Sequence, residues 1–211
     1  MKQFVAVAGN IGVGKSTLVH LMQERLGWEP FFEAVVENPF LADFYTDMRR
    51  WAFQSQIFFL TRRLHAHREL LDRPGIVVQD RSVYEDAQVF ARNLYLQGDM
   101  AERDYRTYEE LYHVLTEFLP PPDLIVYLRA SVDTLLRRIG QRGRDYEKGI
   151  SAEYLARLND LYEEWISTFA RAPVLCVPAD RLDYVQYTSD LEIVLSKVQQ
   201  KLRGEQLVLF D

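Results

Sequence analysis

Gly9-Asn10-Ile11-Gly12-Val13-Gly14-Lys15-Ser16-Thr17 sets a glycine, four residues, a second glycine, a lysine and a serine in series. That spacing suits capture of a polyphosphate. Glycines let successive backbone N–H groups turn inward around an anion, and the N-terminus of a following helix adds its positive end. The segment from Gly9 to Thr17 is therefore the candidate cradle for the phosphates of ATP or another nucleoside triphosphate. Lys15 can reach the outer phosphates, and the Ser16 hydroxyl can join the coordination shell of Mg2+. A second reactive stretch reads Arg137-Arg138-Ile139-Gly140-Gln141-Arg142-Gly143-Arg144-Asp145-Tyr146-Glu147. A transferring phosphoryl group needs cations that close over it and exclude water. Arginines in a glycine-containing loop at a helix end suit a mobile lid, expected at about residues 138–149.

Short apolar runs must position these groups. Phe4–Ala8, Ile76–Gln79, Leu124–Leu128 and Val174–Val177 are continuous and rich in Val, Ile and Leu, as expected of strands covered on both faces. A weaker strand is expected at Phe31–Ala34. Helical stretches are expected at Ser16–Leu26, Phe40–Asp47, Ala52–Leu71, Val83–Leu96, Ala101–Phe118, Val132–Gln141, Ala152–Ala170 and Tyr187–Leu202. Pro120-Pro121-Pro122-Asp123 is a hard stop before a strand. This alternation predicts an α/β fold: a doubly wound, five-stranded parallel sheet in three α/β/α layers, carrying the phosphate loop and the arginine-rich lid. Ligands in such sheets sit at the carboxyl ends of strands. Glu33 follows the apolar pair Phe31-Phe32 of the weaker run, Asp80-Arg81-Ser82 follows Ile76–Gln79, and the arginine segment follows the helix after Leu124–Leu128.

Bulk properties narrow the function further. The chain of 211 residues is 48% hydrophobic and 27% charged, enough to bury one sizeable core, so residues 1–211 read as a single domain. A net charge of −6 argues against broad attraction to nucleic acid or anionic membrane. No run approaches the length of a membrane span, and the N-terminus carries no signal-like apolar block. Cys176 stands alone, which excludes an intrachain disulfide and points to a reducing cytoplasm. His65 and His67 lie two apart on a predicted helix and do not share a face, and His113 is isolated, so no zinc site is expected. Tyr162 and Trp165 read as packing residues. The apolar tail Leu207-Val208-Leu209-Phe210 is expected to dock on the body or on a partner subunit.

The ordered motifs resemble the deoxyribonucleoside kinases, in particular their bacterial deoxyadenosine, deoxyguanosine and deoxycytidine branch. The resemblance runs from about Phe4 to Trp165. It rests on the phosphate loop, Glu33, Trp51-Ala52-Phe53-Gln54-Ser55, Asp80-Arg81-Ser82, Phe90-Ala91-Arg92-Asn93-Leu94-Tyr95, Asp123-Leu124-Ile125-Val126-Tyr127-Leu128-Arg129 and the lid ending in Glu147. It implies transfer of the γ-phosphate of ATP to the 5′-hydroxyl of a deoxyribonucleoside, with Mg2+ bound by Ser16 and Asp80. Glu33 matches the carboxylate that accepts the hydroxyl proton, and Arg81 the residue that organises it. Gln54 matches the residue that pairs with the base, Phe90 the ring that stacks on it, and Tyr45 and Glu147 the pair that holds the sugar 3′-hydroxyl. Arg138, Arg142 and Arg144 fall on phosphate-contacting lid positions, while Arg137 is expected to face solvent. A long-helix interface of a homodimer would draw on Ala52–Leu71 and Val83–Leu96.

Two features bear on the acceptor. Asn38 stands where many animal relatives carry a tryptophan lining the base pocket. Asp86, four residues after Ser82, matches an acid of relatives that take purines or deoxycytidine. A carboxylate can accept from an exocyclic amino group directly or through an arginine, and thymine has none. Deoxyadenosine or another amino-bearing deoxynucleoside is therefore expected over thymidine. The arginine that such relatives place after the base-pairing glutamine aligns with Thr61, next to Arg62. Two other readings share the loop: a nucleoside monophosphate kinase resembling thymidylate kinase, and a nucleotide-binding switch without a small-molecule acceptor.

Overall fold

A computed structural model describes residues 2–32 and 38–205. Five strands form one sheet: β1 (Gln3–Gly9), β2 (Glu29–Phe31), β3 (Ile76–Asp80), β4 (Leu124–Arg129) and β5 (Val174–Pro178). Their order is β2-β3-β1-β4-β5, and every pairing is parallel. The strands meet the expectation from apolar runs because both faces are covered: all of Phe4–Gly9 is buried, as is Leu124–Leu128. Edge strand β2 is shorter than expected and ends at Phe31; Phe32 follows it, and Glu33 and Ala34 lie outside the described residues.

The order reverses direction beside β1, whose neighbours are β3 and β4. That is the switch point where such sheets bind ligands, and the phosphate loop leaves the carboxyl end of β1 there. Register sets the site: Val7 pairs with Asp80, and Gly9 with Leu128.

Helix α1 (Lys15–Leu26) packs on β1, β2 and β3, while α9 (Thr188–Leu202) packs on β4 and β5. Between them run α2 (Leu41–Thr46), α3 (Met48–Leu71), α4 (Val83–Glu85), α5 (Arg92–Leu96), α6 (Glu102–Thr116), α7 (Val132–Arg142) and α8 (Ala152–Thr168). The helix expected over Val83–Leu96 is broken in the middle. Asp86–Ala91 is a π-helical segment between α4 and α5, a widened turn often found at functional sites. It packs against α3, α6 and α8, and its Ala87, Val89, Phe90 and Ala91 are buried. Asp86–Ala91 is thus packed in the interior of the subunit. Leu96, at the end of the Val83–Leu96 run, is exposed; exposed apolar side chains also lie on and just past α6, at Leu111, Val114 and Phe118, the last 80% exposed. Their spacing of three and four places them on one helix face.

Candidate active site

The donor end is built from main chain. Gly9 has φ 143°, and a β-carbon there would meet the Leu128 carbonyl oxygen at 2.6 Å. Only glycine permits that close crossing of the first loop residue over β4. Gly14 (φ 106°) caps α1 in the left-handed region, with the Tyr184 hydroxyl 2.6 Å from where a β-carbon would stand. The loop opens directly into α1, so its amides and the helix N-terminus converge. Lys15 is buried, and its Nζ donates to the carbonyls of Gly9 (2.9 Å) and Asn10 (3.0 Å). Asn10 is fixed to α8, donating to the Leu155 carbonyl (2.9 Å) and Asn159 Oδ1 (2.8 Å).

Ser16 follows on α1, and its hydroxyl donates to Asp80 Oδ2 at 2.5 Å. The β1–β3 register brings these two oxygens together across the sheet. Next to Asp80, Arg81 takes φ 69°, unusual for a residue with a β-carbon and a sign of strain held by its surroundings. Its amide donates to the Val7 carbonyl (3.0 Å), and its guanidinium lies 4.1 Å from the centre of the Phe90 ring. That cation–π contact holds Phe90 against the cavity wall.

From the loop a cavity of about 720 Å3 extends beneath α2, α3 and the lid, a size suited to a nucleoside with phosphates. Part of its lining comes from α3 and the π-helical segment. Gln56 and Arg63, seven apart on α3, face it together with Phe59, and Asp86 faces it from the π-helical segment. Arg63 Nε donates to Asp86 Oδ2, and both side chains are buried. A buried pair of this kind costs desolvation that is recovered only when the partners stay matched. Phe90, Phe44 and Tyr45 supply aromatic surface, and Phe32 lies at the entrance.

The lid segment folds over the same cavity. Arg142 donates to Glu147 through Nε (3.0 Å) and Nη2 (2.6 Å), and Arg144 pairs with the other carboxylate oxygen at 3.4 Å. Glu147 is buried on a 3-10 turn, Asp145–Glu147, and Tyr146 stacks on Tyr45 with centroids 6.0 Å apart. Arg138 is a clasp here: Nη1 donates to the Val13 carbonyl (2.7 Å) and Nη2 to that of Ala179 (2.9 Å). Arg137 is exposed, as expected, at the rim.

Most of the residues expected at the site converge. Gly12, Gly14, Lys15, Ser16, Thr17, Ile11, Tyr45, Asp80, Arg81, Asp86, Phe90, Arg138, Arg142, Arg144 and Glu147 all line the one cavity. Glu33 lies outside the described residues, as does the tail 207–210.

Gln54 is the correction. It is half-buried and absent from the lining, where Gln56 stands instead. Two residues turn a helix by about 200°, so both cannot face one pocket. The same slip moves the arginine from Thr61 or Arg62, both exposed, to Arg63. The signal was available: Gln56, Phe59 and Arg63 follow the spacing of one helix face.

Tyr162, expected only to pack, also donates through its hydroxyl toward the loop, and Glu85 was not anticipated at all.

Fold and site together define a phosphotransferase with a phosphate loop and an adjoining pocket for a small acceptor. Residues 5–203 match the sequence model of the family described as deoxynucleoside kinase, and the chain belongs to that family. It is 37% identical over 204 residues to the deoxyadenosine/deoxycytidine kinase of Bacillus subtilis (strain 168), covering 96% of this chain and 94% of that one. It is 34% identical over 202 residues to the deoxyguanosine kinase of the same organism, covering 93% and 96%. Among solved structures, deoxyadenosine kinase from M. mycoides with products dCMP and a flexible dCDP bound superposes with a TM-score of 0.84. That protein shares 32% identity, with 95% of this chain and 100% of that chain covered. The chain is an enzyme that phosphorylates deoxynucleosides with ATP as donor. Among the described residues, no helix is long and apolar enough to cross a membrane.

Proposed function

We propose that this kinase transfers the γ-phosphoryl group of ATP to the 5′-hydroxyl of a deoxyribonucleoside whose base carries an exocyclic amino group, in preference to thymidine. One observation carries this reading: the cavity lined by the phosphate loop is also lined by Gln56, Arg63 and Asp86. An amide both donates and accepts, so Gln56 can pair two adjacent positions on a purine or cytosine edge. Arg63 and Asp86, locked together, offer a donor and an acceptor beside it. Thymine presents no amino donor to the carboxylate. Phe90 stacks on the base, and Tyr45 with Glu147 faces the sugar.

At the donor end, Lys15 exchanges its loop carbonyls for the outer phosphates, and the loop amides hold the rest. Arg142 and Arg144 swing from Glu147 toward the transferring group, where they balance developing charge and exclude water. Glu33 directly follows Phe32, a cavity-lining residue, in the sequence, and it accepts the proton of the attacking hydroxyl. Arg81 orients that carboxylate. Ser16 and Asp80 are the residues that would hold Mg2+. Two adjoining hard oxygens suit an ion that takes the rest of its shell from phosphate and water. Held there, Mg2+ would supply charge neutralisation for the donor phosphates.

The subunit pairs with a second copy through the apolar face of α6 and the adjoining α3, and works in the cytosol. The test is a panel of the four deoxyribonucleosides with ATP and Mg2+, followed by product mass. Monophosphates from deoxyadenosine, deoxyguanosine or deoxycytidine, with thymidine a poor acceptor, are expected. Thymidine as the best acceptor would overturn the base assignment. Consumption only of acceptors already phosphorylated would overturn the reaction.

A further inference from the structure

Glu85 is fully buried and belongs to no step described above. Its Oε1 accepts from the Ser82 amide at 2.8 Å, and its Oε2 from the Gly9 amide at 3.3 Å. The Tyr162 hydroxyl, also fully buried, lies 2.6 Å from that same Oε2 and 2.8 Å from the Gly9 carbonyl oxygen. Residue 9, where β1 turns into the phosphate loop, is thus held at both its N–H and its C=O by one pair from α4 and α8.

A count of hydrogens decides how. The tyrosine hydroxyl has a single proton, and the Gly9 carbonyl can only accept. Were Glu85 a carboxylate, it too could only accept, and one of the two short contacts would set lone pair against lone pair. A proton on Oε2 resolves this. The acid donates to the tyrosine oxygen, the tyrosine donates to the Gly9 carbonyl, and a lone pair of Oε2 still receives the Gly9 amide. We propose that Glu85 is a positioning residue that works as a neutral carboxylic acid, acting through Tyr162 to hold the Gly9 carbonyl in place when Lys15 leaves it for the phosphates.

Charge is balanced around the site. Lys15, Arg81 and Arg63 favour the ionised form, but burial opposes it more strongly and raises the Glu85 carboxyl above its ordinary value. Burial keeps Tyr162 protonated. The Gly9 carbonyl needs this support because Lys15 Nζ is its other hydrogen-bond partner and is the group that moves. A buried carbonyl that loses a partner pays its desolvation penalty without compensation.

The inference rests on the kinase reading, so ATP affinity is measured by calorimetry beside turnover and a mistaken acceptor leaves the outcome readable. Glu85→Ala should lower kcat/KM for ATP about a hundredfold, because it strands three buried partners. In Glu85→Gln the carbonyl still accepts from Ser82 and the amide still donates to Tyr162, while only the long Gly9 amide contact is given up. That variant should recover activity to within about fivefold of the parent. Tyr162→Phe should weaken ATP binding while leaving the KM for deoxynucleoside unmoved, a split that general destabilisation would not produce. The infrared carbonyl band of a buried protonated carboxyl should be present in the parent and missing in Glu85→Gln. If Glu85→Gln is as impaired as Glu85→Ala, or the band is absent from the parent, the neutral-acid role is wrong. Should the alanine variant fail to fold, the glutamine variant and the band still decide.

Discussion

The two ends of the cavity are made of different material. The donor end is mostly backbone: loop amides, a helix N-terminus, and a lysine and serine that follow in sequence. The acceptor end is made of side chains from α2, α3, the π-helical segment and the lid, brought together only by packing. The loop's function follows from its local geometry, so a run of nine residues announces it. The base pocket depends on which way each helix faces, and a shift of two residues points a side chain to the opposite side.

This contrast yields graded tests. Lys15→Met should give the largest effect, about a thousandfold loss of kcat/KM with deoxynucleoside affinity retained, because it removes charge placed on the transferring group. Steady-state kinetics with both substrates varied would check it. Loss of deoxynucleoside binding as well would mean that the two ends are not separate.

Acid should act next, through α3. His67 is buried with its ring edge-on to Phe4 at 5.2 Å, and burial lowers its pKa from 6.5 to about 4. Its folded value lies below the unfolded one, so its contribution is complete above pH 6.5. That contribution is lost as pH falls from 6.5 toward 4, amounting to 2–3 kcal/mol on the order of the linkage relation. Urea melts across that range should show the loss, and His67→Leu should flatten it. An unchanged slope in the variant would clear His67.

The smallest effect separates neighbours on one helix. Gln56→Ala should raise the deoxynucleoside KM by roughly ten- to thirtyfold, the value of one bidentate base contact, and leave the KM for ATP alone. Gln54→Ala should change either constant by less than about twofold, as for a surface substitution. Equal effects of the two would restore the original assignment of Gln54.

Legibility in the sequence followed the same division. β1, β3, β4 and β5 were readable because buried parallel strands leave unbroken apolar runs. The loop motif and the family resemblance bring Ser16 and Asp80 to one site, and the structure joins the two side chains by a hydrogen bond. The π-helical segment was not readable, since its composition matches an ordinary helix and only the packing of α3, α6 and α8 around it widens the turn. Glu85 and Tyr162 were hidden for another reason. They lie 77 positions apart, and each alone reads as a helix residue. Asp86 was recognised, but its partner Arg63 was missed because Arg62 and Arg63 adjoin and only one faces inward.

The direct test is a crystal structure with deoxyadenosine and a non-hydrolysable ATP analogue. The adenine edge should lie within hydrogen-bond distance of the Gln56 amide, against Phe90, with the 5′-hydroxyl directed toward the phosphates held by Lys15. A base bound outside the pocket of Gln56, Arg63 and Asp86, or a 5′-hydroxyl turned away from the loop, would contradict the assignment.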